Sequence, residues 1–186
     1  FGLAYATKVV GIPASTMLWV SILGNVLAIF SQPLFAALAD RLGRKPLFIG
    51  GVTGSAVLIF VYFNVLSTGN IPMVFLASTL ITAGTYAMSN SIYPGWFPEL
   101  FNVRVRYSGM AIGLQIGILC AGFTPTLGTA LVGGDPANWG PAAWIVAVSS
   151  IVATIGALWA KETYRTPLEQ LGKPVHHPEA HGAVSR

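Results

Sequence analysis

Charged residues fall in a few tight clusters along this chain, separated by long stretches that carry none. Positions 9–39, 46–98, 107–134 and 136–160 contain no Asp, Glu, Lys, Arg or His. About 20 apolar residues suffice to carry a helix across roughly 30 Å of hydrocarbon. The pattern therefore predicts helical membrane spans over 16–39, 46–66, 72–96, 107–132 and 141–160. The uncharged run from Pro46 to Pro98 holds two of them, divided by the turn-rich Ser67-Thr68-Gly69-Asn70-Ile71-Pro72. Pro46 suits a first helical turn, where its missing N–H costs nothing. Pro94, Pro98 and Glu99 are expected to close the third span, and Pro125 to kink the fourth. Before the first span, Phe1 to Thr7 reads as the end of a further helix, with Lys8 and Pro13 marking its exit.

Composition supports the pattern. The 186 residues are 54% hydrophobic and 9% charged, with a mean hydropathy of +0.68, whereas soluble domains carry about 25% charge. A water-exposed surface cannot be assembled from these residues. A membrane β-barrel would need segments of about ten residues with alternating polarity, and these runs do not alternate. The fold class expected is all-α and integral to the membrane: a bundle over 1–160, then a charged, Pro- and His-containing tail over 161–186 that reads as disordered. The chain starts at Phe1 inside apolar sequence, with neither an initiator Met nor a secretory signal pattern, and so reads as a fragment. Cys120 stands alone, which excludes an internal disulfide or a cysteine metal site. His176, His177 and His181 lie in the tail and are too sparse to argue a metal. No cofactor is expected.

The charge distribution orients the bundle. Arg41, Arg44, Lys45, Arg104, Arg106, Lys161, Arg165, Lys173 and Arg186 fall on one side of the predicted topology, and only Lys8 on the other. Lys and Arg accumulate in cytoplasmic loops, so this side and the C-terminus are expected in the cytoplasm, with the protein in the cell (inner or plasma) membrane. The same asymmetry accounts for a pI near 9.5 without nucleic acid, which is rejected as a partner.

The densest cluster, Asp40-Arg41-Leu42-Gly43-Arg44-Lys45, puts four charges into six residues. With its approach, Ala36-x-Leu38-Ala39-Asp40-Arg41-x-Gly43-Arg44-Lys45 resembles the loop signature Gly-x-Leu-Ala-Asp-Arg-x-Gly-Arg-Lys of the major facilitator superfamily. This copy departs at its first position, with Ala36 for Gly. The resemblance covers essentially the whole chain and implies helices 8 to 12 and the tail of helix 7 of a twelve-helix fold. It also implies a partner, an N-terminal six-helix half that is absent here. Trp96-Phe97-Pro98-Glu99-Leu100-Phe101, then Arg104-Val105-Arg106-Tyr107-Ser108-Gly109 and Gln115, resembles the metabolite:proton symporter group. Its members carry organic acids or osmolytes such as proline and betaine. Sugar porters have a related loop.

The loop residues also make physical sense. Asp40 at a helix C-terminus opposes the macrodipole and should seek a cation or another helix's N-terminus. Arg41, Arg44 and Lys45 can bridge to carboxylates such as Glu99, Arg by bidentate bonds, and Gly43 allows positive φ. The resemblance implies that these residues, with Arg104 and Arg106, latch the cytoplasmic face shut. The alternative is that the charges only enforce topology.

Polar groups inside spans should face the bundle or a water-filled path. Thr79, Thr82, Tyr86, Asn90 and Tyr93 share one face of the third span. Asn25 and Gln32 share a face of the first, and Gln115 is the fourth span's one amide. Family analogy makes Asn25, Gln32, Tyr86, Asn90 and Gln115 candidate substrate contacts; interhelical hydrogen bonding is the plain alternative. Gly109, Gly113, Gly117 and Ala121, and likewise Ser149, Ala153 and Ala157, form small-residue stripes expected to bring helix backbones together. Trp19, Trp96, Trp139, Trp144 and Trp159 are expected as interfacial anchors.

The expected function is secondary transport, proton-coupled symport of a small organic acid or osmolyte. A sugar-type or other porter of the superfamily is the first alternative, and a non-transporting membrane scaffold the second. An enzyme would need a buried nucleophile and base or metal ligands, and the spans supply none. Proton coupling needs an ionisable group at membrane depth, which on this reading must lie outside these five spans.

Overall fold

The computed structural model describes residues 1–102, 104–132, 137–160 and 162. All regular structure among them is helical. Five helices are long and apolar enough to cross a membrane: Ala14–Leu42, Arg44–Ser67, Ile71–Glu99, Arg106–Val132 and Gly140–Trp159, here the first to fifth spans. The protein is an all-α membrane protein. A short helical segment, Gly2–Tyr5 continued by π-helical turns over Ala6–Val10, precedes them and ends at Gly11, whose φ of 81° is left-handed. The tail lies outside the described residues except for Glu162.

Local chemistry sets the helix ends. Gly43 alone separates the first two spans, at φ 106°. The Asn70 side chain caps the third span by accepting from the Met73 N–H at 3.3 Å. That span does not stop at its prolines; it runs through Pro94 and Pro98 to Glu99. Leu100 and Phe101 then close the end, their N–H groups bonding back to the carbonyls of Phe97 and Pro98 at 3.2 Å. The fourth span breaks at Phe123, between Arg106–Gly122 and Thr124–Val132. A proline two residues later explains the break, since Pro125 has no N–H to continue the ladder.

The second span packs along the fifth, and the third wedges against the first and second. The third span approaches its neighbours at glycines. A Cβ on Gly51 would lie 2.7 Å from the Thr85 carbonyl oxygen and 2.9 Å from the Ser89 nitrogen, and one on Gly54 2.6 Å from the Thr85 Cγ2. Close approach lets Ser55 Oγ donate to Thr85 Oγ1 at 2.8 Å. These contacts fall where the third span widens into π-helical turns over Leu80–Tyr86.

Two buried clusters fill the ends. Tyr5, Met17, Val20, Phe63, Leu66 and Val74 pack near the start of the first span, with Trp139 stacked on Phe63 at 5.6 Å between ring centroids. Ala39, Leu47, Phe48, Ile92, Trp96 and Ala157 pack at the charged-loop end. Trp96 is fully buried with its ring 5.5 Å from that of Phe48. It is therefore a core residue and not the interfacial anchor expected; Trp19, Trp144 and Trp159 are exposed.

Candidate functional site

The charged turn becomes a knot of helix ends. Asp40 and Arg41 sit in the last turn of the first span, and Arg44 and Lys45 in the first turn of the second. The Arg44 guanidinium forms an ion pair with Glu99, at the end of the third span, and lies 3.9 Å from an Asp40 carboxylate oxygen. Glu99 and Arg44 are largely buried, with side chains 12% and 22% exposed, while Asp40 is 71% exposed. The Arg44–Glu99 pair is thus shielded from water, where removing one partner strands the other charge. Asp40 contributes only a weak, solvated contact.

The fifth span joins from the far end of the chain. Glu162 accepts from the backbone N–H of Arg44 at 3.3 Å and of Lys45 at 2.9 Å. A carboxylate there satisfies two of the orphan donors at a helix N-terminus and complements its positive dipole end. In return the Lys45 ammonium donates to the carbonyls of Leu158 and Ala160, the latter at 3.0 Å, a cation on a helix C-terminus. A Cβ on Gly43 would come within 3.1 Å of the Glu162 carboxylate, so glycine is needed there for approach as well as for φ.

Of the eight loop residues singled out in the sequence, the structure brings together Asp40, Gly43, Arg44, Lys45 and Glu99. Arg41 and Arg104 are exposed. Arg106 starts the fourth span, and its Nε and Nη2 are buried with no hydrogen-bond acceptor among the described residues. Glu162 went unnoticed in the sequence. Its signal was an acid immediately after the last apolar run, which only the position of the second span makes meaningful.

The five polar candidates do not converge into one pocket. Asn25, Tyr86 and Gln115 are exposed, and Gln32 and Asn90 half-buried. The Asn25 amide donates to the Ser21 carbonyl of its own helix at 2.8 Å. No hydrogen bond joins any two of the five among the described residues. They lie on exposed or half-exposed helix faces and do not by themselves enclose a solute.

The small-residue stripe of the fourth span does not do what its spacing suggested. A Cβ on Gly113 or Gly117 would meet nothing within 4 Å, and Arg106–Gly122 buries no residue. Across from it lie Ala153 and Ala157 of the fifth span, on the other side of an apolar cavity.

A model of the Major Facilitator Superfamily matches residues 1–183. The chain belongs to that superfamily. Among curated proteins it is 29% identical over 166 residues to the shikimate transporter of Escherichia coli K12, covering 89% of this chain and 38% of that protein. It is 31% identical over 141 residues to the proline/betaine transporter of the same strain, covering 76% of this chain and 28% of that protein. It is 31% identical over 102 residues to the D-xylose-proton symporter-like 2 of Arabidopsis thaliana, covering 52% of this chain and 20% of that protein. The chain thus spans well under half the length of these superfamily relatives. No solved structure matches it significantly.

Proposed function

We propose that this chain of the superfamily is the C-terminal half of a secondary active transporter, not an enzyme, and that the whole protein carries a small organic acid or osmolyte together with protons. The substrate class rests on the relatives named for shikimate and for proline and betaine. The observation that carries the mechanism is the knot at the charged end. Arg44, Lys45 and Glu162 tie the ends of the second, third and fifth spans to one another. A bundle tied in this way moves as one body, as alternating access by rocking requires. An N-terminal six-helix half is the partner against which it rocks, and Asn25, Gln32, Tyr86, Asn90 and Gln115 supply a neutral wall of the solute path between them. Asp40, Arg41, Gly43, Arg44, Lys45, Glu99, Arg104 and Arg106 form the latch, on the cytoplasmic side of the cell membrane together with the C-terminus.

Uptake by the full-length protein of labelled shikimate, proline and glycine betaine, with and without a protonophore, tests the reading. Uptake of one of these that collapses with the proton gradient is expected; no uptake of any would overturn the substrate class. For the latch, Glu99→Gln, which leaves the shielded Arg44 charge without its partner, should change both uptake and cysteine accessibility at the charged end, and no change in either would remove it. A sugar-type porter is the second reading, favoured by the match to the xylose–proton symporter-like protein; xylose belongs in the same uptake panel.

A further inference from the structure

Five amide side chains lie within the spans: Asn25, Gln32, Asn64, Asn90 and Gln115. An amide at membrane depth must find a hydrogen-bond partner or a polar solute. Two of the five turn back on their own helices, Asn25 onto the Ser21 carbonyl at 2.8 Å and Asn64 onto the Phe60 carbonyl at 3.0 Å. The side chains of Gln32, Asn90 and Gln115 make no hydrogen bond among the described residues. Their capacity is unspent.

These three also share one depth. Gln32 lies ten residues from Leu42 at the charged end of the first span, Asn90 nine from Glu99 and Gln115 nine from Arg106. At 1.5 Å per residue each is about 13–15 Å in from that end, half of a hydrocarbon layer of about 30 Å. That level is the midplane, where transporters of alternating access hold their solute. Asn25, by contrast, lies about 25 Å in, toward the other surface. Packing keeps the register of the first and third spans, which run in the same direction. Met17 and Val20 share a cluster with Val74, and Ala39 one with Ile92 and Trp96. Between them a Cβ on Gly24 would lie 3.2 Å from that of Thr82, and eight residues further on each helix reaches Gln32 and Asn90. Gln115 is exposed, on the side of the fourth span opposite Gly113 and Gly117.

The chemistry of this level is neutral, since 9–39, 46–98 and 107–134 carry no Asp, Glu, Lys, Arg or His. A solute carboxylate turned toward it would be buried without a cation. A methylated ammonium offers an amide neither donor nor acceptor. A hydroxyl offers both, and an amide answers with N–H donors and a carbonyl acceptor. We propose, resting on the transporter reading above, that Gln32, Asn90 and Gln115 form one hydrogen-bonding level for the hydroxyl groups of a hydroxylated organic acid, whose carboxylate is held by the half opposite. A level built to pair hydroxyls discriminates against solutes without them, because its amides are then left unpaired.

The test is calorimetric binding to the purified full-length protein of three solutes: shikimate as the hydroxylated ring acid, cyclohexenecarboxylate as the same ring without hydroxyls, and glycine betaine. Shikimate should bind, and the bare ring acid should bind about tenfold more weakly or worse. Gln32→Leu, Asn90→Leu and Gln115→Leu should each narrow that preference about fivefold, as the loss of one hydrogen bond does. A damaged fold would lower both affinities and leave their ratio unchanged. Asn64→Leu, whose amide is spent on its own helix, should leave the ratio as it is. Equal binding of shikimate and the bare ring acid overturns the proposal, as does an unchanged ratio in all three variants. Tighter binding of glycine betaine than of shikimate overturns it too, while the transporter reading stands; binding of none of the three overturns the substrate class along with it.

Discussion

Two glycine-spaced helices of this protein follow the same sequence rule to opposite ends. In the second span, Gly51 and Gly54 sit directly against the third span, with no room for a methyl group before the Thr85 carbonyl. In the fourth span, Gly113 and Gly117 face open space. Small residues permit approach but do not drive it. What distinguishes the pair is the opposing helix. Thr85 and Ser89 meet the second span with polar atoms, and Ser55 and Thr85 exchange a hydrogen bond. Ala153 and Ala157, facing the fourth span, offer no polar side-chain atom and too little volume to bridge the gap. A stripe of glycines is thus half of an instruction, and the other half is written on a different helix.

The contrast can be broken most forcefully at Gly51. Gly51→Ala places a methyl against backbone that cannot swing away, and overpacking of this kind costs about 1–3 kcal/mol. Thermal unfolding of the detergent-solubilised protein, followed by tryptophan fluorescence, should show a clear drop. Next comes the knot at the charged end. Glu162→Gln keeps the size but removes the charge facing the N-terminus of the second span, and a loss of about 0.5–1 kcal/mol is expected from dipole and capping effects. Increased reactivity of a cysteine placed at Leu47, which is buried beside the knot, would report that loosening. Ser55→Ala removes one interhelical hydrogen bond, worth about 0.6 kcal/mol in membrane proteins. Smallest of all is Gly113→Ala, whose methyl enters open space and costs no packing, so the protein should lose no stability and at most gain the roughly 0.5–1 kcal/mol by which Ala exceeds Gly inside a helix. A Gly113→Ala variant as damaging as Gly51→Ala would erase the comparison.

The helical membrane architecture was legible because hydropathy is a local property, recorded residue by residue in runs such as 9–39 and 46–98. The superfamily was legible because Asp40, Arg41, Gly43, Arg44 and Lys45 keep fixed spacing in a single turn. Contacts between helices were not. Trp96 sits near the end of an apolar run, where an anchor belongs, yet the helix continues past it and the ring turns inward onto Phe48. Glu162 looked like one more charge of a solvated tail, because its partners lie 117 and 118 positions earlier in the chain. Pro94, Pro98 and Glu99 read as the close of the third span, and the helix does end at Glu99, although it runs through both prolines to get there. The polar faces of Asn25, Gln32, Tyr86, Asn90 and Gln115 could be read as faces, while periodicity within a helix carries no information about what stands opposite.

The bond from Glu162 to the backbone of Lys45 also has a consequence in time. It joins residues 117 positions apart, so the start of the second span leaves the ribosome long before the carboxylate that caps it. At about 5–20 residues per second, the interval is about 6–23 s. Throughout it, the N-terminus of the second span stands in the nascent chain without its acid and the Lys45 ammonium without its carbonyls. The clasp closes only when the last span has been inserted. A chain truncated before Glu162 would carry all five spans described here and still lack the bond that ties the start of the second to the end of the fifth.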